Sequence, residues 1–278
     1  MQAGQILATQ NGKAEILLTP GVFLRLNTGA AVRMDSPGLA NTALTLQQGR
    51  ASVEVSEILP ANDLVINVGG ASARLVKRGL YDFDATAGLI RVFDGQVDLN
   101  VGGKMIDVKG GHELALINNP NFKTHGFDKK AAEDDFYRWS SLRSSYLAEA
   151  NVSAAKQYYA GGPGWYGPGW YWDPYFTSYT WIPGDGIFWS PFGWGFYSPF
   201  YVGYAPFFGY GFGYHHYFGP GYHPPVAAFH GGAGFRGGYA GGYAGGYRGG
   251  YSGGFARGGG FSGGGGGGFA GGGHGGRR

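Results

Sequence analysis

From residue 13 onward, apolar and polar side chains alternate in short runs, broken by turn residues at intervals of roughly 8–12 positions, the pattern of an all-β domain. "VFLRL" places Val22, Leu24 and Leu26 on one face. "ALTL" aligns Leu44 with Leu46, and "ASVEV" aligns Val53 with Val55 while Glu54 and Ser56 point the other way, toward solvent. "LVINV", "ASARLV", "LYDFD", "LIRVF", "QVDLNV", "KMIDV" and "HELALI" continue the series. Gly102-Gly103 between two such runs predicts a two-residue hairpin. The spacing predicts about ten short strands sharing one core over residues 1–120.

The period then changes. Within residues 121–160, a connector, the stretch 128–158 reads as one helix, with Phe136, Trp139, Leu142, Tyr146, Leu147 and Ala150 in one apolar stripe. Asp128 is the expected N-cap, and Gly161-Gly162-Pro163 the expected stop. Residues 161–230 are rich in Trp, Tyr, Phe, Pro and Gly and are expected to be partly ordered, with "YTWIPGDGIFW" forming a hairpin around Pro183–Gly186. Residues 231–278 are a Gly-Gly-Tyr low-complexity tail, expected to be disordered.

Composition sharpens the division. Of 58 glycines, 42 lie beyond residue 160, as do 35 of the 47 aromatics, and that half contains no Leu, Lys or Glu. A chain with so few aliphatic side chains offsets little of its ordering entropy, so residues 1–160 are expected to fold without the glycine-rich end. The 16 acids and 16 bases of residues 1–160 balance. Two acids and five arginines beyond them give the net +3. "GGAGFRGGYAGGYAGGYRGGYSGG", residues 231–254, has the look of an RNA-binding Arg-Gly-Gly tail, but Arg236, Arg248, Arg257, Arg277 and Arg278 make a weak field for nucleic acid.

Candidate chemistry dissolves on inspection. With no cysteine there is no thiol nucleophile or thiolate metal site. The G-x-S-x-G matches at 250–254 and 260–264 lack the strand and helix of a nucleophile elbow. His215, His216, His223 and His230 have no intervening carboxylate and no standard ligand spacing. Asp134 and Asp135 are adjacent on a helix and point apart. No catalytic, metal or cofactor residue is assigned, no enzyme is expected, and the sequence names no ligand-binding residue. Prolines 191, 199, 206 and 220 interrupt the one long uncharged stretch, so no transmembrane helix is expected there.

"LTLQQGRASVEV", "LVINVGGASARLVKRGLYDFDA", "IRVFDGQVDL" and "IDVKGGHELAL" occur in an order and spacing that resemble the FecR domain over roughly residues 13–117. Gly49, Gly79, Gly95 and one of Gly110 or Gly111 fall at its turn positions. Phe83 falls at its aromatic position, one residue further from Gly79 than in the family. The resemblance implies an extracytoplasmic all-β module of the kind found in regulators of envelope sigma factors. The helical sigma-holding segment, membrane helix and small α/β subdomain of those regulators have no counterpart in this sequence. The expectation is therefore an exported, periplasmic or extracellular, non-enzymatic cell-envelope protein whose leader is absent from this sequence. Its partner would be a protein or envelope surface, and its tail would be adhesive or self-associating. The alternatives are a sensor working through a separate membrane partner and, less favoured, an Arg-Gly-Gly RNA binder.

Overall fold

The computed structural model describes residues 1–59, 61–159 and 164–205. Fourteen strands build two seven-stranded sheets, and one helix and four further strands follow. Sheet 1 runs β1 (Ile6–Ala8), β4 (Ala31–Pro37), β5 (Asn41–Gln48), β7 (Asp63–Val68), β8 (Ala71–Leu75), β11 (Gln96–Val101) and β12 (Lys104–Lys109). Sheet 2 runs β14 (His125–Gly126), β13 (His112–Ala115), β10 (Leu89–Asp94), β9 (Gly79–Asp84), β6 (Arg50–Val55), β3 (Val22–Leu26) and β2 (Ala14–Leu17). Pairing is antiparallel except for β5 with β7, because β6 crosses to sheet 2 between them and the chain returns in the same direction.

The two sheets share one core. Leu44, Leu46, Ile66, Val68, Val97 and Leu99 of sheet 1 meet Leu24, Val53, Val55, Tyr81, Phe83 and Ile90 of sheet 2. These are the alternate positions the pattern singled out, as a sandwich requires. The Gly102-Gly103 hairpin is present, with positive φ at both glycines and Val101 opposite Lys104. Short strands β1 and β14 were not legible in the sequence pattern.

Two glycines are held by crowding, and the first of them by conformation as well. Gly95 has φ of 97°, and a Cβ there would lie 2.2 Å from the Tyr81 hydroxyl. At Gly79 it would lie 2.1 Å from the Asp94 carbonyl oxygen. Replacing Gly95 with valine is expected to lose at least about 1 kcal/mol of unfolding free energy in a denaturant titration. A neutral result would contradict the β10–β11 turn.

Beyond the sandwich, three expectations need correcting. The helix α1 spans Asp135–Tyr159, starting seven residues after the predicted cap. Asp134 is its N-cap, its carboxylate accepting from the backbone N–H groups of Phe136 and Tyr137, whereas Asp128 closes a separate turn onto Lys130 and Ala131. The buried helix face is also wider than the apolar stripe, of which Phe136, Leu147 and Ala150 are buried as expected. Phe136, Ser140, Ser144, Leu147, Asn151 and Ala155 face inward, while Tyr146 is exposed. Small residues at three- and four-residue spacing let the helix pack closely against the segment that follows it, and an apolar-only stripe misses them.

The third correction concerns the aromatic segment. "PGDG" at 183–186 joins two hairpins instead of turning one. β15 (Gly169–Asp173) pairs with β16 (Ser178–Ile182), and β17 (Ile187–Trp189) with β18 (Gly195–Tyr197). Trp181, Ile182 and Phe196 are fully buried, and Trp181 and Phe196 pack with Leu147 of α1 against Phe23 on the outer face of sheet 2. Residues 164–205 therefore complete the core, so the sandwich and α1 alone are not the whole folded body. Helix and hairpins form a third layer over sheet 2, and the Gly-Gly-Tyr tail lies outside the described residues.

Candidate interaction surfaces

The outer face of sheet 2 carries a row of polar residues in register across six strands: Glu15, Arg25, Ser52, Asp82, Arg91 and Glu113. In an open sandwich this would be a solvated face. Here the third layer covers the row from Glu15 to Asp82, while Arg91 and Glu113 pair with each other and stay partly exposed. Arg25 and Glu54 are both 0% exposed. The Arg25 Nη1 donates to Glu54 at 2.6 Å, and its Nε donates to Glu15 at 2.8 Å. From the helix side, Arg143 donates to Glu15 at 2.8 Å and the Ser144 hydroxyl donates to Glu54 at 2.7 Å.

Burial alone would raise the Glu15 carboxyl. The charges of Arg25 and Arg143 and their hydrogen bonds outweigh it and hold the group below the usual carboxylate range. Phe23 and Phe192 lie beside the Arg25 guanidinium, with ring centroids 5.6 and 6.0 Å away. A second ionic link lies along the same face. Arg50 grips Asp82 through both oxygens and also binds Asp134, the helix cap, so one guanidinium ties β6, β9 and the start of α1 together.

Hydrogen bonds from side chains attach the hairpins to the helix. Buried Asn151 donates to the carbonyls of Trp181 and Tyr197 at 2.8 and 3.0 Å and accepts from the Tyr197 N–H at 2.7 Å. The Thr180 hydroxyl donates to the Leu147 carbonyl at 2.6 Å, and the Trp194 indole N–H donates to that of Ser141 at 3.1 Å. Such buried, satisfied links specify one docking arrangement in a way that apolar contact does not.

Two exposed surfaces stand out among the described residues. The outer face of sheet 1 is polar: Asp35 accepts from Arg33, Thr45 and Asn67, and Arg74 donates to Asp63. Burial would raise the Asp35 carboxyl, but those three hydrogen bonds and the Arg33 charge hold it low. The other open surface is aromatic, formed by Trp172, Tyr175 and Tyr179 at the end of the β15–β16 hairpin.

The acidic pair considered from sequence is placed plainly: Asp134 caps α1 and binds Arg50, while Asp135 is exposed and pairs with Arg138. Sequence reasoning missed Arg25 and Glu54 because a buried polar row and a solvated one share the same alternation. The recoverable signal lay in the helix, in the spacing of Ser140, Ser144, Asn151 and Ala155. Among the described residues no three His, Asp or Glu side chains converge as a metal would require, and no helix is long and apolar enough to cross a membrane. The histidines at 215–230, the G-x-S-x-G matches and the Arg-Gly-Gly triplets lie outside the described residues.

No family model matches the chain, and no curated protein does. Two crystal structures described as "a putative anti-sigma factor" from Parabacteroides distasonis ATCC 8503 are similar to it. One, at 14% identity and a TM-score of 0.38, shares 50% of this chain and 64% of its own, so the chain spans less than two thirds of that relative. The other, at 13% identity and a TM-score of 0.38, shares 64% of this chain and 98% of its own.

Proposed function

We propose that this is a FecR-like, non-enzymatic cell-envelope protein, exported to the periplasm or cell exterior, whose sandwich is a binding or assembly module. The tail at 231–278 would be its tether or adhesive extension, and not an RNA clamp. The observation that carries the reading is the match between the resembling segments and the turns of the sandwich. "LTLQQGRASVEV" is β5, Gly49 and β6, and "IRVFDGQVDL" is β10, Gly95 and β11. "IDVKGGHELAL" is β12, a turn with Gly111 at φ of 82°, and β13. Each is a strand, a glycine turn and a strand, as the resemblance implies.

Sheet 1 suits the binding role because, among the described residues, its polar outer face is left open while the third layer occupies sheet 2. Fractionation of cells expressing the gene from its native locus provides the test. The chain is expected in the envelope or external fraction. Recovery solely from the cytoplasm would contradict the reading.

A further inference from the structure

The β15–β16 hairpin carries a ladder of aromatic side chains on one face. Trp170 stands opposite Trp181, and Trp172 opposite Tyr179. The first rung is anchored. Trp170 packs edge-on against Phe23, and Trp181 is fully buried against Phe188 and Phe196. The second rung continues on the same face into solvent, with Trp172 50% and Tyr179 52% exposed, and Tyr175 in the connecting loop is 67% exposed. Cost-free collapse onto the body is unavailable to these rings, because the rung behind them and the loop are fixed. Buried Asp173 accepts from the Phe176 N–H at 2.7 Å and from Gln157 at 3.3 Å, pinning the loop to the end of α1.

The chemistry of this exposed end is narrow. Residues 164–205 contain no Lys or Arg, and their acids are Asp173, which is buried, and Asp185. Nothing here attracts an acidic polymer. Trp172 meets Tyr179 at 70° and Tyr175 meets Phe176 at 74°, so adjacent rings are perpendicular and offer no flat platform for a sugar ring. What they do offer is apolar ring bodies tipped with indole N–H and phenol O–H groups on a rigid, nearly uncharged projection. That combination is suited to the boundary between acyl chains and headgroups, where one part of the ring is apolar and the other wet.

We infer that Trp172, Tyr175 and Tyr179 form a peripheral lipid-binding tip, inserted shallowly into a neutral bilayer interface. The tip is separate from the sheet 1 face invoked above, so its failure would leave the envelope reading standing.

Phosphatidylcholine vesicles and the full chain provide the test, beside the variant carrying Trp172→Ser, Tyr175→Ser and Tyr179→Ser together. The aromatic tail is common to both proteins, so the difference reports the hairpin alone. The full chain is expected to sediment with vesicles at low and high salt alike, with a blue shift of tryptophan emission. The triple variant should bind at least about tenfold more weakly. Tyr175→Ser alone, at a loop position that leaves the ladder intact, should show a partial loss at an unchanged melting temperature. Three results would each overturn the inference: no vesicle binding by the full chain, a triple variant that binds as well as the parent, or binding lost at high salt. Concentration-dependent dimerisation that needs these rings, without vesicle binding, would assign the tip to a second copy and also overturn it.

Discussion

Replacing Arg25 with alanine is expected to destabilise the protein by about 3–5 kcal/mol, as removing one partner of a buried ion pair does. Arg25 and Glu54 are wholly enclosed between sheet 2 and the third layer, so alanine would leave the Glu54 carboxylate with the Ser144 hydroxyl and a 3.5 Å contact to Ser56 as its remaining support. Glu15 would keep Arg143 and suffers less. The pair itself need not be a large net stabiliser, because desolvating two charges consumes much of their attraction. Hence the double substitution Arg25→Met with Glu54→Leu should recover most of the loss. Chemical denaturation of the three variants measures both effects. A single-variant loss under about 1 kcal/mol would show that this interface is wet.

The strand pattern was legible because the sandwich core obeys one rule. Val22, Leu24 and Leu26 alternate with Phe23 and Arg25, and only one set meets sheet 1. The opposite set was misread. Arg25 and Glu54 look like a solvated face, and nothing local in "VFLRL" or "ASVEV" reveals that a helix much later in the chain covers them. The helix stripe was incomplete for a related reason. Its inward face is built from Ser140, Ser144 and Asn151, whose polar atoms are satisfied across the interface, and hydrophobic periodicity does not register such residues. The hairpins were hidden by composition. Aromatics among glycines read as low complexity, yet Trp170, Trp181 and Phe196 pack around a single Phe23 and supply there the bulk that aliphatic residues supply elsewhere. The exposed tip had no sequence signature, since Trp170 and Trp172 sit two residues apart on one face and only the body behind them distinguishes the two.

Residues 164–205 belong to the folded body, and shortening the chain puts this to the test. Fully burying one large apolar side chain is worth about 1.5–3 kcal/mol, and the hairpins bury Trp181, Ile182, Phe196 and Tyr197. Without them, Phe23 loses its aromatic cover, and Asn151 and the Leu147 carbonyl lose the hydrogen bonds that attach helix to hairpin. A 25-residue helix faced with Ser, Ala and Asn has little independent stability. The measurement is thermal unfolding of the full chain, of residues 1–205 and of residues 1–159, followed by helical circular dichroism. Residues 1–205 are expected to unfold in one transition close to that of the full chain. Residues 1–159 should lose most of the helical signal and at least about 5 kcal/mol of stability. A chain of residues 1–159 that keeps the helix and the same midpoint would show that the hairpins are not part of the folded body.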